Sequence, residues 1–387
     1  MAHLRNLALT LVQGSLRLVL GTLSRVVPTT RQVVVSGFPE TEGNAVEAAR
    51  ALLGRYPGTV VWLTESPAPT AEVKALVEQG LVLVPKASLA GLVAYLRAEA
   101  VFFTHGLYGS PRPSRRKPLV NLWHGDGPKA TRPGSGAGSL IPSTYLVAST
   151  EIFGRLKAEA FEVPGDRLLV TGNPRTDQLW RAPGDDPVAG LGITGEFVLW
   201  MPTFRSTRAI GAVKTWSEST GPSDDVATLR PLLDGLRDRG IQLVVKPHPL
   251  DAESRDVPGA VVVTDEALVD AGVSLYSLLG QARGLVTDYS SVWVDFLLLD
   301  RPLAFHVPDE ETYTRALAPA DVLAWLPGER VTGTGEPFAA FLADLDARGR
   351  LGAGTREQVA DKLGLQRTRS SADDLVSALV ARGVLRG

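Results

Sequence analysis

The chain contains no cysteine, which excludes disulfide frameworks, thiolate metal sites and cysteine nucleophiles. Charge of one sign is also missing: 40 Lys and Arg stand against 42 Asp and Glu, a formal net charge of −2. General nucleic-acid binders carry surplus positive charge, so no nucleic-acid partner is expected. There is no GxGxxG fingerprint and no P-loop, which argues against a nicotinamide enzyme or a P-loop NTPase. No short-period repeat is visible. What is present is 387 residues, 44% hydrophobic and 21% charged, enough to bury the cores of two globular domains.

The region from Leu4 to Val27 is rich in Leu and Val and carries Arg5, Arg17 and Arg25, and no acidic residue occurs before Glu40. Gln13, Ser15 and Arg17 make it too polar in the middle for a spanning helix, and it lacks a convincing small-residue cleavage site. The expectation is a basic amphipathic helix over residues 1–30, lying on an anionic membrane surface at the cytoplasmic face. A helix packed on the protein's own core is the competing reading. From residue 31 short apolar strands alternate with amphipathic helices, beginning with Gln32 to Ser36, Gly43 to Tyr56 and Gly58 to Leu63. Such alternation implies parallel βαβ units. A Pro/Gly/Asp-rich stretch from Arg181 to Gly192 reads as a linker, and a second α/β series follows. The predicted organisation is two facing Rossmann-like domains, 31–185 and 186–387.

Polar clusters follow the predicted strands, where doubly wound sheets bind their ligands. They are Trp123-His124-Gly125-Asp126-Gly127-Pro128-Lys129, Gly172-Asn173-Pro174-Arg175-Thr176-Asp177, Met201-Pro202-Thr203-Phe204-Arg205, Lys246-Pro247-His248-Pro249, and Thr287-Asp288-Tyr289-Ser290-Ser291 with Asp295 one turn onward. His124 is the candidate for proton transfer, with Gly125 and Gly127 leaving room for substrate. Asp126 either orients that imidazole or repels a phosphate. Ser290 and Ser291 lie where a strand turns into a helix, a place for an anion or for simple N-capping. His248 sits between two prolines on a stiff turn beside Lys246, and Arg175 and Arg205 each follow a proline. Arg115, Arg116 and Lys117 in a Pro-bounded basic loop, and Arg205 and Arg208 at the start of a long polar connection, are candidates for holding a polyanionic acceptor or simply solvated loops.

In this order the motifs resemble the CDP-glycerol glycerophosphotransferases of teichoic acid synthesis, over roughly residues 32 to 310. The family pattern is a Trp-His-Gly-Thr-Pro-Leu-Lys box, a Gly-x-Pro-Arg-x-Asp box, an Ala-Pro-Thr-Trp-Arg box, a His-Pro turn and a Thr-Asp-Tyr-Ser-Ser segment followed by an Asp. The resemblance implies a GT-B fold and transfer of glycerol phosphate or another polyol phosphate from CDP-glycerol or CDP-ribitol to a lipid-linked or polyol-phosphate acceptor, with neither metal nor cofactor. It implies His124 as catalytic base and His248 near the donor pyrophosphate. Gly125, Asp126, Gly127, Pro128, Arg175, Pro202, Thr203, Pro247, Pro249, Ser290, Ser291 and Asp295 fall in the donor site. The chain departs from the pattern at Asp126-Gly127-Pro128, where Thr-Pro-Leu is usual, and at Phe204, where Trp is usual. The other functions considered are a nucleotide-sugar glycosyltransferase and a nonenzymatic anionic-polymer or membrane binding protein.

Overall fold

The computed structural model describes residues 17–66, 68–114, 116–130, 141–181, 188–203, 222–247, 257–311, 313, 317–332 and 336–386, with backbone alone for 222–228. The chain divides into two compact units: residues 1–126, 131–177 and 365–387 in the first, 127–130 and 178–364 in the second.

In the first unit β1 (Gln32–Ser36), β2 (Thr59–Thr64), β3 (Val82–Pro85), β4 (Ala100–Phe103), β5 (Leu119–Asn121), β6 (Tyr145–Ala148) and β7 (Leu168–Val170) form one parallel sheet in the order β3-β2-β1-β4-β5-β6-β7. Val33, Val34 and Val35 are all fully buried, the continuous apolar run of a strand covered on both faces. The helices are α1 (residues 17–26), α2 (Gly43–Arg55), α3 (Ala71–Glu78), α4 (Leu89–Arg97) and α5 (Glu151–Ala160). Their starts obey capping chemistry: the side chains of Glu42, Thr70, Ser88 and Thr150 each accept from a first-turn amide, satisfying N–H groups that lack an intrahelical partner.

The second unit contains β8 (Phe197–Met201), α6 (Pro222–Arg237), β9 (Gln242–Val245), β10 (Val261–Val262), α7 (Asp265–Ala271), α8 (Leu275–Gln281), β11 (Gly284–Thr287), α9 (Val292–Phe296), β12 (Leu303–His306), β13 (Glu329–Val331), α10 (Ala339–Asp346) and α11 (Ala353–Leu363). Its parallel sheet has the order β10-β9-β8-β11-β12-β13. Both sheets reverse direction at their first strand, the doubly wound order.

The final helix, α12 (Ser371–Ala381), departs from the expected division at 185/186. It belongs to the first unit, where Leu375, Val376, Leu379 and Leu385 share a core with Val33, Leu52 and Trp62. An amphipathic helix advertises its apolar face in sequence, but not the sheet it will cover. At the other end, residues 1–16 of the expected membrane-surface helix lie outside the described residues. α1 packs on the first unit through Leu20, in a cluster with Val34, Tyr95 and Leu119, while Leu18, Val19 and Val26 are exposed. Among the described residues no helix is long and apolar enough to cross a membrane.

Candidate active site

In the first unit the strand β5 ends at Asn121, whose Oδ1 accepts from the Trp123 N–H at 3.0 Å. The backbone then turns sharply, with φ of +51° at Trp123 and +124° at Gly125, and leaves the His124 side chain exposed. For a bulky Trp a positive φ is held only by surroundings that over-determine it. Here they are visible. Fully buried Asn44, at the start of α2, donates from Nδ2 to the Trp123 carbonyl at 3.1 Å, and its Oδ1 accepts from the Arg175 N–H at 3.0 Å. Arg175 Nη1 in turn donates to the His124 carbonyl at 2.6 Å and lies 3.8 Å from Glu42 Oε1. The His124 ring is stacked within a group that includes Trp123, at 4.0 Å between centroids, and His105, at 4.5 Å.

The geometry places Arg175 and Asp126 as follows. Arg175, expected in the donor site, is 7% exposed and clamps the backbone that presents His124. Asp126 is 1% exposed, and its Oδ2 accepts from Ser149 N at 2.5 Å, Ser149 Oγ at 3.0 Å and Thr150 N at 3.1 Å. It ties the turn after β5 to the β6–α5 junction instead of presenting a carboxylate to a ligand. It also supplies negative charge to Lys157, which desolvation pushes below its ordinary pKa and Asp126 draws back up. That removes the puzzle of an acid beside a pyrophosphate: a carboxylate holding three donors and countering a buried ammonium is a structural ion.

In the second unit Asp288 performs a comparable task. Its Oδ2 accepts from Thr203 N at 2.8 Å and Thr203 Oγ1 at 2.9 Å, and its Oδ1 from Ser290 N at 3.2 Å. Neighbouring strands β8 and β11 are thereby joined at their carboxyl ends, with Thr287 Oγ1 donating to Met201 O at 2.8 Å. Gly127 belongs to this unit. A Cβ there would lie 2.5 Å from Ser291 Cβ and 2.7 Å from its Cα, so only glycine allows that approach. Pro128 accepts from Ala318 N at 2.8 Å. Lys246 is buried, with Nζ 2.9 Å from Asp265 Oδ1 and 3.0 Å from Pro247 O. Ser290 and Ser291 are half-buried at the start of α9, and Ser291 makes no side-chain capping bond. Pro202 and Thr203 are buried. Asp295, expected in the donor site, is 1% exposed and accepts from the Tyr276 hydroxyl at 2.5 Å, an internal brace.

The basic loop divides. Arg116 is exposed, with Nη1 3.4 Å from the Arg25 carbonyl of α1. Lys117, expected in that acceptor-binding loop, is 1% exposed. Its Nζ donates to the Leu96 carbonyl at 2.6 Å and to Ser24 Oγ at 3.4 Å, over the Tyr95 ring, and desolvation pushes its pKa down to about 8. Arg115, Arg205, Arg208, His248 and Pro249 lie outside the described residues. Sequence reasoning missed Asn44, Glu42 and His105. The only available signal was that Glu42 and Asn44 flank a helix start.

A family model described as CDP-Glycerol:Poly(glycerophosphate) glycerophosphotransferase matches residues 55–380. The chain belongs to this family. Similar proteins include two from Bacillus spizizenii: a teichoic acid glycerol-phosphate primase, 30% identical over 176 residues that cover 44% of this chain and 42% of the primase, and a teichoic acid ribitol-phosphate primase, 27% identical over 221 residues covering 52% and 55%. The chain thus spans about half the length of the curated relatives it matches. Among solved structures, one of the wall teichoic acid polymerase TagF superposes with a TM-score of 0.69 at 17% identity, over 99% of this chain and 95% of that one. A UDP-GlcNAc 2-epimerase from Neisseria meningitidis bound to UDP-GlcNAc gives 0.53 at 11% identity, over 91% and 100%. At such identities the likeness is one of fold. This glycerophosphotransferase-family chain carries its exposed imidazole at the carboxyl end of one doubly wound sheet and its Thr203, Ser290 and Ser291 hydroxyls at the carboxyl end of the other.

Proposed function

We propose that the chain transfers a polyol phosphate, most simply glycerol phosphate, from a CDP-linked donor to the hydroxyl of a lipid-linked or polymeric acceptor in teichoic-acid-type synthesis, releasing CMP. Family membership supports the reaction class, and relatives named for glycerol phosphate and for ribitol phosphate leave both polyols as substrates to be tried. The observation that carries the reading is His124: an exposed imidazole at a strand end, on a backbone clamped by Asn44 and Arg175. In the proposed step a His124 ring nitrogen takes the acceptor hydroxyl proton as that oxygen attacks the phosphorus bearing the polyol, and the bond from this phosphorus to the CMP oxygen breaks. The hydroxyls and amides around Ser290 and Ser291 would hold phosphate oxygens, with His248 assisting the departing CMP.

The proposal includes a GT-B arrangement of the two units and action at the cytoplasmic face of the membrane. The exposed Leu18, Val19 and Val26 on α1, beside exposed Arg25, support the latter. The test is CMP release from CDP-glycerol and from CDP-ribitol, each with and without a lipid-linked disaccharide or polyol-phosphate acceptor. Acceptor-dependent release that falls by about a hundredfold or more in His124→Ala is expected. Silence of the folded native protein with both donors would overturn the reading in favour of another nucleotide-linked substrate.

A further inference from the structure

Strands β4 and β5 are parallel neighbours, with Phe103 opposite Asn121. The chain therefore leaves the sheet twice at the same carboxyl end, carrying His105 two residues past one pair position and His124 three residues past the other. Their rings meet face to face, 4.5 Å between centroids with planes within 10°. Trp123 extends the stack at 6.1 Å from His105 and is itself braced edge-on by Phe161 at 4.7 Å. His105 is fixed independently of His124. Phe38 packs edge-on against it at 5.6 Å, and its Nδ1 lies 3.1 Å from Thr104 Oγ1, an oxygen that also accepts from the Phe38 N–H at 3.0 Å.

We propose that His105 is a positioning residue for His124, holding the plane of its imidazole by face-to-face stacking so that one ring nitrogen meets the acceptor hydroxyl in a single orientation. This rests on the reading of His124 as the base. An imidazole rotates freely about its last side-chain torsion unless something fixes it, and a proton acceptor works only within hydrogen-bond reach and line of its donor. The backbone clamp from Asn44 and Arg175 sets where His124 stands but not how its ring is turned. The flat face of His105, parallel to the ring within 10°, contributes that second constraint beside the tilted Trp123 ring at 4.0 Å.

Lys86 bears on His105 and, with desolvation as the larger cause, lowers its affinity for a proton; Lys86 is paired with Glu65. On the other side Arg175 contacts the His124 carbonyl and is near Glu42. Two imidazolium ions at this separation would repel each other.

The test uses the full chain as His105→Ala and His105→Phe, the second keeping a flat ring without a proton site, with kcat and donor KM measured alongside an NMR titration of the His124 ring. His105→Ala is expected to lower kcat about ten- to a hundredfold with donor KM changed less than about twofold, and to move the His124 titration upward as its imidazolium regains water. His105→Phe is expected to restore kcat to within a few-fold. A native kcat and an unmoved titration in His105→Ala would sink the proposal, and so would loss of activity with the titration unmoved or failure of Phe to rescue. Failure of the base assignment reads differently: His124→Ala would then stay active, whatever the titration shows.

Discussion

A single hydrogen separates Gly127 from every other residue the chain could carry there, because a Cβ would sit 2.5 Å from that of Ser291. Gly127→Ala must push its own backbone and that of Ser291 apart. We expect a loss of about 1–3 kcal/mol in stability, the usual cost of overpacking, read as a lower denaturation midpoint, together with a raised KM for CDP-glycerol. The residue types of the site were legible in sequence because each stands just past an apolar strand: His124 after β5, Thr203 after β8, Ser290 after β11. Which polar side chains turn inward was not legible. The partners of Asp126 lie 23 and 24 positions away at Ser149 and Thr150, that of Arg175 N lies 131 positions away at Asn44, and Asp295 meets Tyr276 from another helix. A carboxylate at a strand end looks the same in sequence whether it faces a sugar or a helix amide.

Helix termini raise the question of what holds α12 in place. Its first amides, Ser371 N–H at 2.6 Å and Ala372 N–H at 3.0 Å, donate to the Asp177 carboxylate. Burial pushes the Asp177 pKa from 3.8 up to about 6, even though those two amides pull it down. A folded-state pKa above the unfolded value means the group's stabilising contribution is complete below about 3.8 and is lost as pH rises through about 6. The stability of the native protein relative to Asp177→Asn, which does not titrate, is therefore expected to decline between pH 4 and 7 when urea midpoints are compared. A flat difference across that range would contradict it. Sequence periodicity marks most of the elements but not where a short helix stops: α9 ends at Phe296, and a 3-10 turn over Leu297–Leu299 ends at Asp300, where φ is +49°. The short helix α7 and the edge strand β13 went unread, since so few residues show no period.

The two α/β units were visible in the alternation of strands and helices, whereas the passage of the chain between them was not. No local property of residues 365–387 says that they complete the unit begun more than three hundred positions earlier. Leu375, Val376, Leu379 and Leu385 are almost wholly buried, and at about 2 kcal/mol for each such side chain they represent as much free energy as a typical domain's whole stability. A chain ending at Gly364 is expected to lose the protease resistance of its first unit while keeping that of the second, and equal resistance of both would argue against the assignment. The same topology constrains synthesis on the ribosome. The first unit cannot close when its sheet emerges, because its last helix is still untranslated; at about 5–20 residues per second the intervening unit delays it by roughly 10–40 s. Throughout that interval the face of α2 that α12 will cover remains open to water, so the nascent chain is a natural client for chaperones that bind exposed apolar surface.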